Sequence, residues 1–171
     1  MRFMDAVKKC LGNYVTFSGR AQRDEYWWFV LFVVLVSIVT AIFDSFLFGV
    51  DPATGESRQV LTSLFQLSVA LPMLAAGWRR LHDTGRPGWY LLLPLALSVT
   101  SMLVLLSGVA AFSVLEQGVE NADALRGPAA FLGLSGLIAV SVLQLILSIL
   151  MIWWLTRPSE NGENAYGQPV F

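Results

Sequence analysis

Four stretches of the chain contain no Asp, Glu, Lys, Arg or His, and each is at least 18 residues long: those between Glu25 and Asp44, Arg58 and Arg79, Arg86 and Glu116, and Arg126 and Arg157. An ionised side chain at the middle of a bilayer costs roughly 2.5 to 3.5 kcal/mol on insertion scales. A helix needs about 20 residues to cross a hydrocarbon core about 30 Å thick. Runs of this length and neutrality predict membrane spans at about 26–48, 60–78, 89–112 and 129–155. Composition agrees: 13% of the residues are charged, against roughly 25% in an average soluble domain. The expected fold is all-α, an integral membrane four-helix bundle forming a single domain over residues 1–171.

The first run lies too far from the N-terminus, and is too long, for a cleaved signal peptide, so it is expected to stay as an anchor. Arg2, Lys8, Lys9, Arg20 and Arg23 precede span one, Arg79, Arg80 and Arg86 separate spans two and three, and Arg157 follows span four. The other two connectors, DPATGESR and LEQGVENADALRGP, carry only Arg58 and Arg126 and read as plain, turn-rich links. The positive-inside rule therefore places both termini, the loop around residues 79–88 and the tail 156–171 in the cytoplasm. Before span one, Phe3, Met4, Val7, Leu11, Tyr14 and Val15 recur at helical spacing, which predicts a short amphipathic interfacial helix within residues 1–18, stopped at Gly12-Asn13. The alternative is a short helix packed on the protein itself.

Three segments hold most of the distinctive polar chemistry: FSGRAQRDEYWWF (residues 17–29), RRLHDTGRPGW (79–89) and RPSENGENAYGQPVF (157–171). In the first, Ser18 is placed to cap a helix beginning at Gly19, and Arg23 lies four residues before Trp27, close enough to rest on its indole. Tyr26, Trp27 and Trp28 fit an interfacial aromatic belt. Arg20 accompanies them, and Glu25 at the membrane edge needs a cationic partner or water. In the second, Arg79 and Asp83 stand four apart and pair if the helix continues past Trp78. Gly85, Pro87 and Gly88 then turn the chain, and Trp89 marks re-entry. In the third, Asn164 and Tyr166 can hydrogen-bond across the loop and pin the tail beneath the helices. Arg79, Arg80, His82 and Asp83 at headgroup level either lock helix ends together, with Glu25 the natural partner of Arg80, or hold an anionic lipid phosphate.

In GRAQRDEYWWF, RRLHDTGRPGW and NGENAYGQP, occurring in that order, the chain resembles the bacterial inner-membrane family known as domain of unknown function 805. The resemblance spans nearly the whole chain. It implies a small multi-span protein of the bacterial inner membrane and supplies no activity.

One Cys and one His exclude an internal disulfide and a Cys/His zinc site, and neither metal nor cofactor is expected. No G-x-S-x-G, H-E-x-x-H or phosphate-binding glycine loop is present, so the chain does not read as an enzyme. Gln66 and Gln144 are the larger polar residues inside the runs, where an ion-coupled carrier would keep ionisable groups. Pro72 is placed to free a backbone carbonyl in span two. Small-residue pairs at Ala129/Gly133 and Ser107/Ala111 suit close packing or homo-oligomers. The leading expectation is a structural or accessory membrane component whose cytoplasmic-side Arg/Glu/His/Asp network ties helix ends. An oligomeric small-solute channel or transporter and anionic-headgroup binding by the basic loop are the alternatives. The expected partners are membrane lipids and further copies of the chain, with no nucleic acid.

Overall fold

The structure, a computed structural model, describes residues 1–50, 57–118 and 123–169, with stretches 114–118 and 123–132 described by their backbone alone. It is helical, with no strand among the described residues. The helices are α1 (Phe3–Gly12), α2 (Arg23–Phe48), α3 (Val60–Asp83), α4 (Leu93–Gly118, entered through a 3-10 turn at Gly88–Leu92) and α5 (Asp123–Thr156). Among the described residues, four helical stretches are long and apolar enough to span a membrane: Arg23–Phe48, Val60–Asp83, Gly88–Ser113 and Gly133–Thr156. All four predicted spans are therefore present. Their boundaries differ where helices run on into polar sequence. The second connector, expected as a plain loop, is mostly helix, since α4 continues to Gly118 and α5 begins at Asp123. Most of the first connector lies outside the described residues.

Residues 1–90 with 154–171 form one compact unit and residues 91–153 another. In the first, α2 and α3 run antiparallel: Glu25 at the start of α2 meets Arg79 near the end of α3, while Asp44 near the end of α2 meets the start of α3. Asp44 is fully buried. Its two carboxylate oxygens accept the backbone N–H groups of Leu61 (2.8 Å) and Thr62 (2.9 Å). The first turn of α3 has no side-chain cap of its own, so a neighbouring helix supplies the anion that its exposed amides and dipole favour. Between these ends, Phe29 of α2 and Val69, Pro72, Ala75 and Ala76 of α3 are buried. Small residues on α3 let the backbones approach closely.

α1 lays Ala6, Val7 and Cys10 inward, and Phe3 reaches the rings of Trp28 and Phe32. It stops where the sequence indicated, at Gly12, with the Asn13 side chain donating back to Lys9 O at 2.9 Å. Beyond it, the Tyr14 hydroxyl donates to the backbone carbonyl of Ser68. That carbonyl lies four residues before Pro72, which has no N–H to offer it. The carbonyl that Pro72 frees is therefore that of Ser68, and a tyrosine from outside the helix takes it.

In the second unit the apolar side chains of α4 and α5, such as Leu95, Met102, Leu103, Leu137 and Ile146, are exposed, as hydrocarbon solvation requires. Serine hydroxyls turn back on their own helices, Ser98 to Pro94 O and Ser141 to Leu137 O, so their polarity is satisfied locally. Ser107 does the same with Val104 O. Gly133 is open to a neighbour, whereas the side chain of Ala129 lies outside the described residues.

Candidate functional site

The three polar segments converge at one end of the α2/α3 pair, in two adjoining buried clusters. The first is centred on Glu25, which is fully buried. Its Oε1 accepts from Arg79 Nη1 at 3.0 Å, and its Oε2 lies 2.6 Å from Lys9 Nζ. Arg79 also donates through Nε to Ala75 O at 3.4 Å, while its Nη2 finds no oxygen acceptor among the described residues. The neighbouring group is the thiol of Cys10, 3.9 Å from Glu25 Oε1. Burial, and then the Glu25 charge, push that thiol up to about 12. Two cations around one carboxylate leave this cluster with a net positive charge.

The second cluster is centred on Asp83, also fully buried. Arg20 Nε donates to Asp83 Oδ1 at 2.9 Å, and Arg80 Nη1 donates to Oδ2. One carboxylate thus holds two guanidinium groups from opposite sides. Most of their remaining hydrogen bonds go to backbone carbonyls at the end of α5 and in the segment after it, with Asp83 O and Ser159 Oγ as further acceptors. Arg20 donates to Glu160 O (2.6 Å), Gly162 O (2.7 Å) and Gly167 O (3.3 Å). Arg80 donates to Leu155 O at 3.0 Å and to Arg157 O. These last acceptors are orphan carbonyls at the C-terminal end of α5, where cations are favoured. Trp27 Nε1 donates to the same Leu155 carbonyl at 3.3 Å.

His82 joins the loop, the segment before α2 and the tail. Its Nδ1 stands 3.1 Å from Gly19 O and so carries the proton. Its backbone carbonyl accepts from Asn164 Nδ2 at 2.9 Å, and its ring stacks on Tyr166. Asn164 also receives the Tyr166 N–H on Oδ1 at 2.9 Å, which turns the tail so that the tyrosine ring faces the histidine. The glycines of the loop are sterically required. Gly85 has φ +71°, and a Cβ there would stand 2.2 Å from Glu160 Oε1. A Cβ on Gly88 would stand 2.2 Å from the Trp78 indole.

Most of the predicted polar residues meet here: Arg20, Glu25, Trp27, Arg79, Arg80, His82, Asp83, Asn164 and Tyr166, with Gly88 at the loop. Four pairings differ from the expected ones. Arg79 pairs with Glu25 rather than Asp83, and Arg80 with Asp83 rather than Glu25, because adjacent helical residues point about 100° apart and address different neighbours. Arg23 does not rest on Trp27. It is exposed at the start of α2, and the guanidinium that does lie on an indole is Arg86, 5.2 Å from the Trp154 ring. Ser18 caps no helix, since α2 begins at Arg23 with Gln22 before it. Trp89 stays 51% exposed and packs edge-on against Tyr90. Lys9 and Cys10, which complete the Glu25 cluster, were missed. The signal was available, as both fall one turn or less from the buried stripe of α1.

Arg79 and Arg80 are buried, 3% and 0% exposed. Among the described residues, no group of three His, Cys, Asp or Glu side chains is placed to hold a metal ion.

Four helices long and apolar enough to cross a membrane, with buried ion pairs at one end of the α2/α3 pair, define a helical integral membrane protein. The chain belongs to the family described as "Protein of unknown function (DUF805)", which it matches over residues 14–168. It is 44% identical over 90 residues to inner membrane protein YhaH of Escherichia coli K12, covering 53% of this chain and 72% of that protein. It is 42% identical over 83 residues to inner membrane protein YhaI of the same strain, covering 48% of this chain and 64% of YhaI. No solved structure matches it. It is an integral inner-membrane protein, as the three sequence segments implied.

Proposed function

We propose that the protein is a non-enzymatic structural or accessory component of the inner membrane, with the clustered end and both termini in the cytoplasm. The polar network serves to close the helix ends into one rigid cytoplasmic cap. The observation that carries this reading is the commitment of Asp83: one buried carboxylate takes Arg20 and Arg80 together, and both guanidiniums donate further to backbone carbonyls at the end of α5 and in the segment after it. A site meant to grip a mobile ligand keeps donors unpaired until the ligand arrives, whereas these donors are already used. The orientation follows from the nine basic residues on this side against Arg58 and Arg126 on the other.

A double-mutant cycle in detergent tests the closure. Arg80→Ala and Asp83→Asn should each lower the melting temperature, and together cost clearly less than the sum of the two, as expected of residues in contact. Additive losses overturn the reading. A reporter fused after Phe171 should be active in the cytoplasm, and periplasmic activity overturns the orientation.

A further inference from the structure

The apolar arc of α1 is wider than the protein surface it meets. Successive helical residues are about 100° apart. At that spacing Ala6, Cys10, Phe3 and Val7 form one flank, the flank that contacts α2 and α3. The arc then continues through Leu11 and Met4, with Val15 in the turn that follows, and these are 40%, 58% and 63% exposed. Beyond them come Lys8, Asp5 and Arg2, all exposed. α1 therefore has an apolar flank against protein, a second apolar flank that none of the described residues covers, and a polar face.

Depth identifies what covers the second flank. Glu25 and Arg79 mark the level of the ionised rim, where the uncharged runs begin and end. Tyr14 donates to Ser68, eleven residues before Arg79, or about 16 Å along the helix axis. Phe3 reaches Phe32, seven residues after Glu25, or about 10 Å along it. Side chains near both ends of α1 thus descend below the rim to where the spans are neutral. Lys8 borders the free flank, with a stem long enough to return its ammonium to headgroup level.

We propose that Met4, Leu11 and Val15 form an acyl-chain-binding surface that seats α1 in a single leaflet, with Lys8 and Arg2 at the level of anionic phosphates and the Tyr14–Ser68 bond fixing the depth. This rests on the membrane reading of the four spans and is independent of the role assigned to the polar clusters.

The test is collision accessibility of nitroxide labels on full-length protein in vesicles of phosphatidylethanolamine and phosphatidylglycerol. Met4→Cys, Leu11→Cys, Val15→Cys and Asp5→Cys are each made in a Cys10→Ala background. Labels at positions 4, 11 and 15 should show an oxygen-to-nickel accessibility ratio several-fold above that at position 5. Adding Tyr14→Phe should lower the ratio at position 15. Nickel accessibility at 4, 11 and 15 equal to that at 5 overturns the proposal. Spin–spin broadening at these positions that vanishes on dilution with unlabelled protein also overturns it, by assigning the flank to a second copy. All four labelled positions are exposed, so the labels displace no packed side chain.

Discussion

His82 and Tyr166 lie face to face, their ring centroids 3.8 Å apart and their planes 5° from parallel. A helix-terminal residue and a tail residue 84 positions apart are joined by an aromatic pair, and such pairs contribute about 0.5–1.5 kcal/mol beyond their buried area. Tyr166→Phe keeps the ring and should leave stability close to wild type. Tyr166→Ala should lower the melting temperature and speed cleavage of the tail after Glu160 and Glu163 by a glutamate-specific protease. Equal cleavage rates in the two variants would show that the stack does not hold the tail.

Asp83→Asn should be among the most damaging single substitutions in the chain. It keeps the shape but leaves Arg20 and Arg80, both fully buried side chains, without their shared anion. Removing one partner from a buried ion pair costs about 3–5 kcal/mol. Asp24→Asn, at the second residue of α2 and half-exposed beside the Met1 amino group, is the matched control with little effect expected. Thermal unfolding in detergent compares them, and similar midpoints would refute the ranking.

Gly88→Ala places a methyl group where the Trp78 indole already sits. The loop must then lift from α3, and Trp78 also packs on Phe17 and His82. A lower melting temperature and a changed tryptophan emission spectrum are expected. Gly12→Ala meets nothing within 4 Å and should be neutral or slightly stabilising, since alanine is the better helix former.

Cys10 provides a pH-dependent signature. Its thiol is pushed up from 9.0 to about 12 by burial and by Glu25. Because the folded value lies above the unfolded one, the unfolded state loses its proton first. The associated stability is complete below about pH 9 and is lost as pH rises toward 12. Since the thiolate is the reactive form, iodoacetamide at pH 8 should leave the folded protein unmodified and label it after denaturation. Rapid labelling of the folded protein would contradict the buried placement.

The spans were legible because hydrocarbon excludes charge without regard to partner: every uncharged run became a helix. The end points were harder to read. α3 continues through Arg79, Arg80 and Asp83 because each charge finds an opposite charge or a carbonyl, and spacing along one helix cannot name a partner on another segment. The exchange of Arg79 and Arg80 between Glu25 and Asp83 is a difference of one residue in register, set by how α3 is rotated. In the sequence Asp44 marks only the end of an uncharged run, because its role lies in the amides of α3, which a linear reading does not bring near it. Tyr14 and Ser68 are 54 residues apart, and the proline that connects their chemistry belongs to only one of the two segments.

The carbonyls that complete Arg20 and Arg80 belong to the end of α5 and to the segment after it, so they are synthesised later than α2 and α3. Until those carbonyls exist the two guanidiniums lack part of their acceptor set, and the cap can shut only after the end of α5 has been made. Synthesis of the end of α5 and the segment after it is thereby converted into a local folding event, so a product cut short before them would keep its charged end open and recognisable to quality-control proteases.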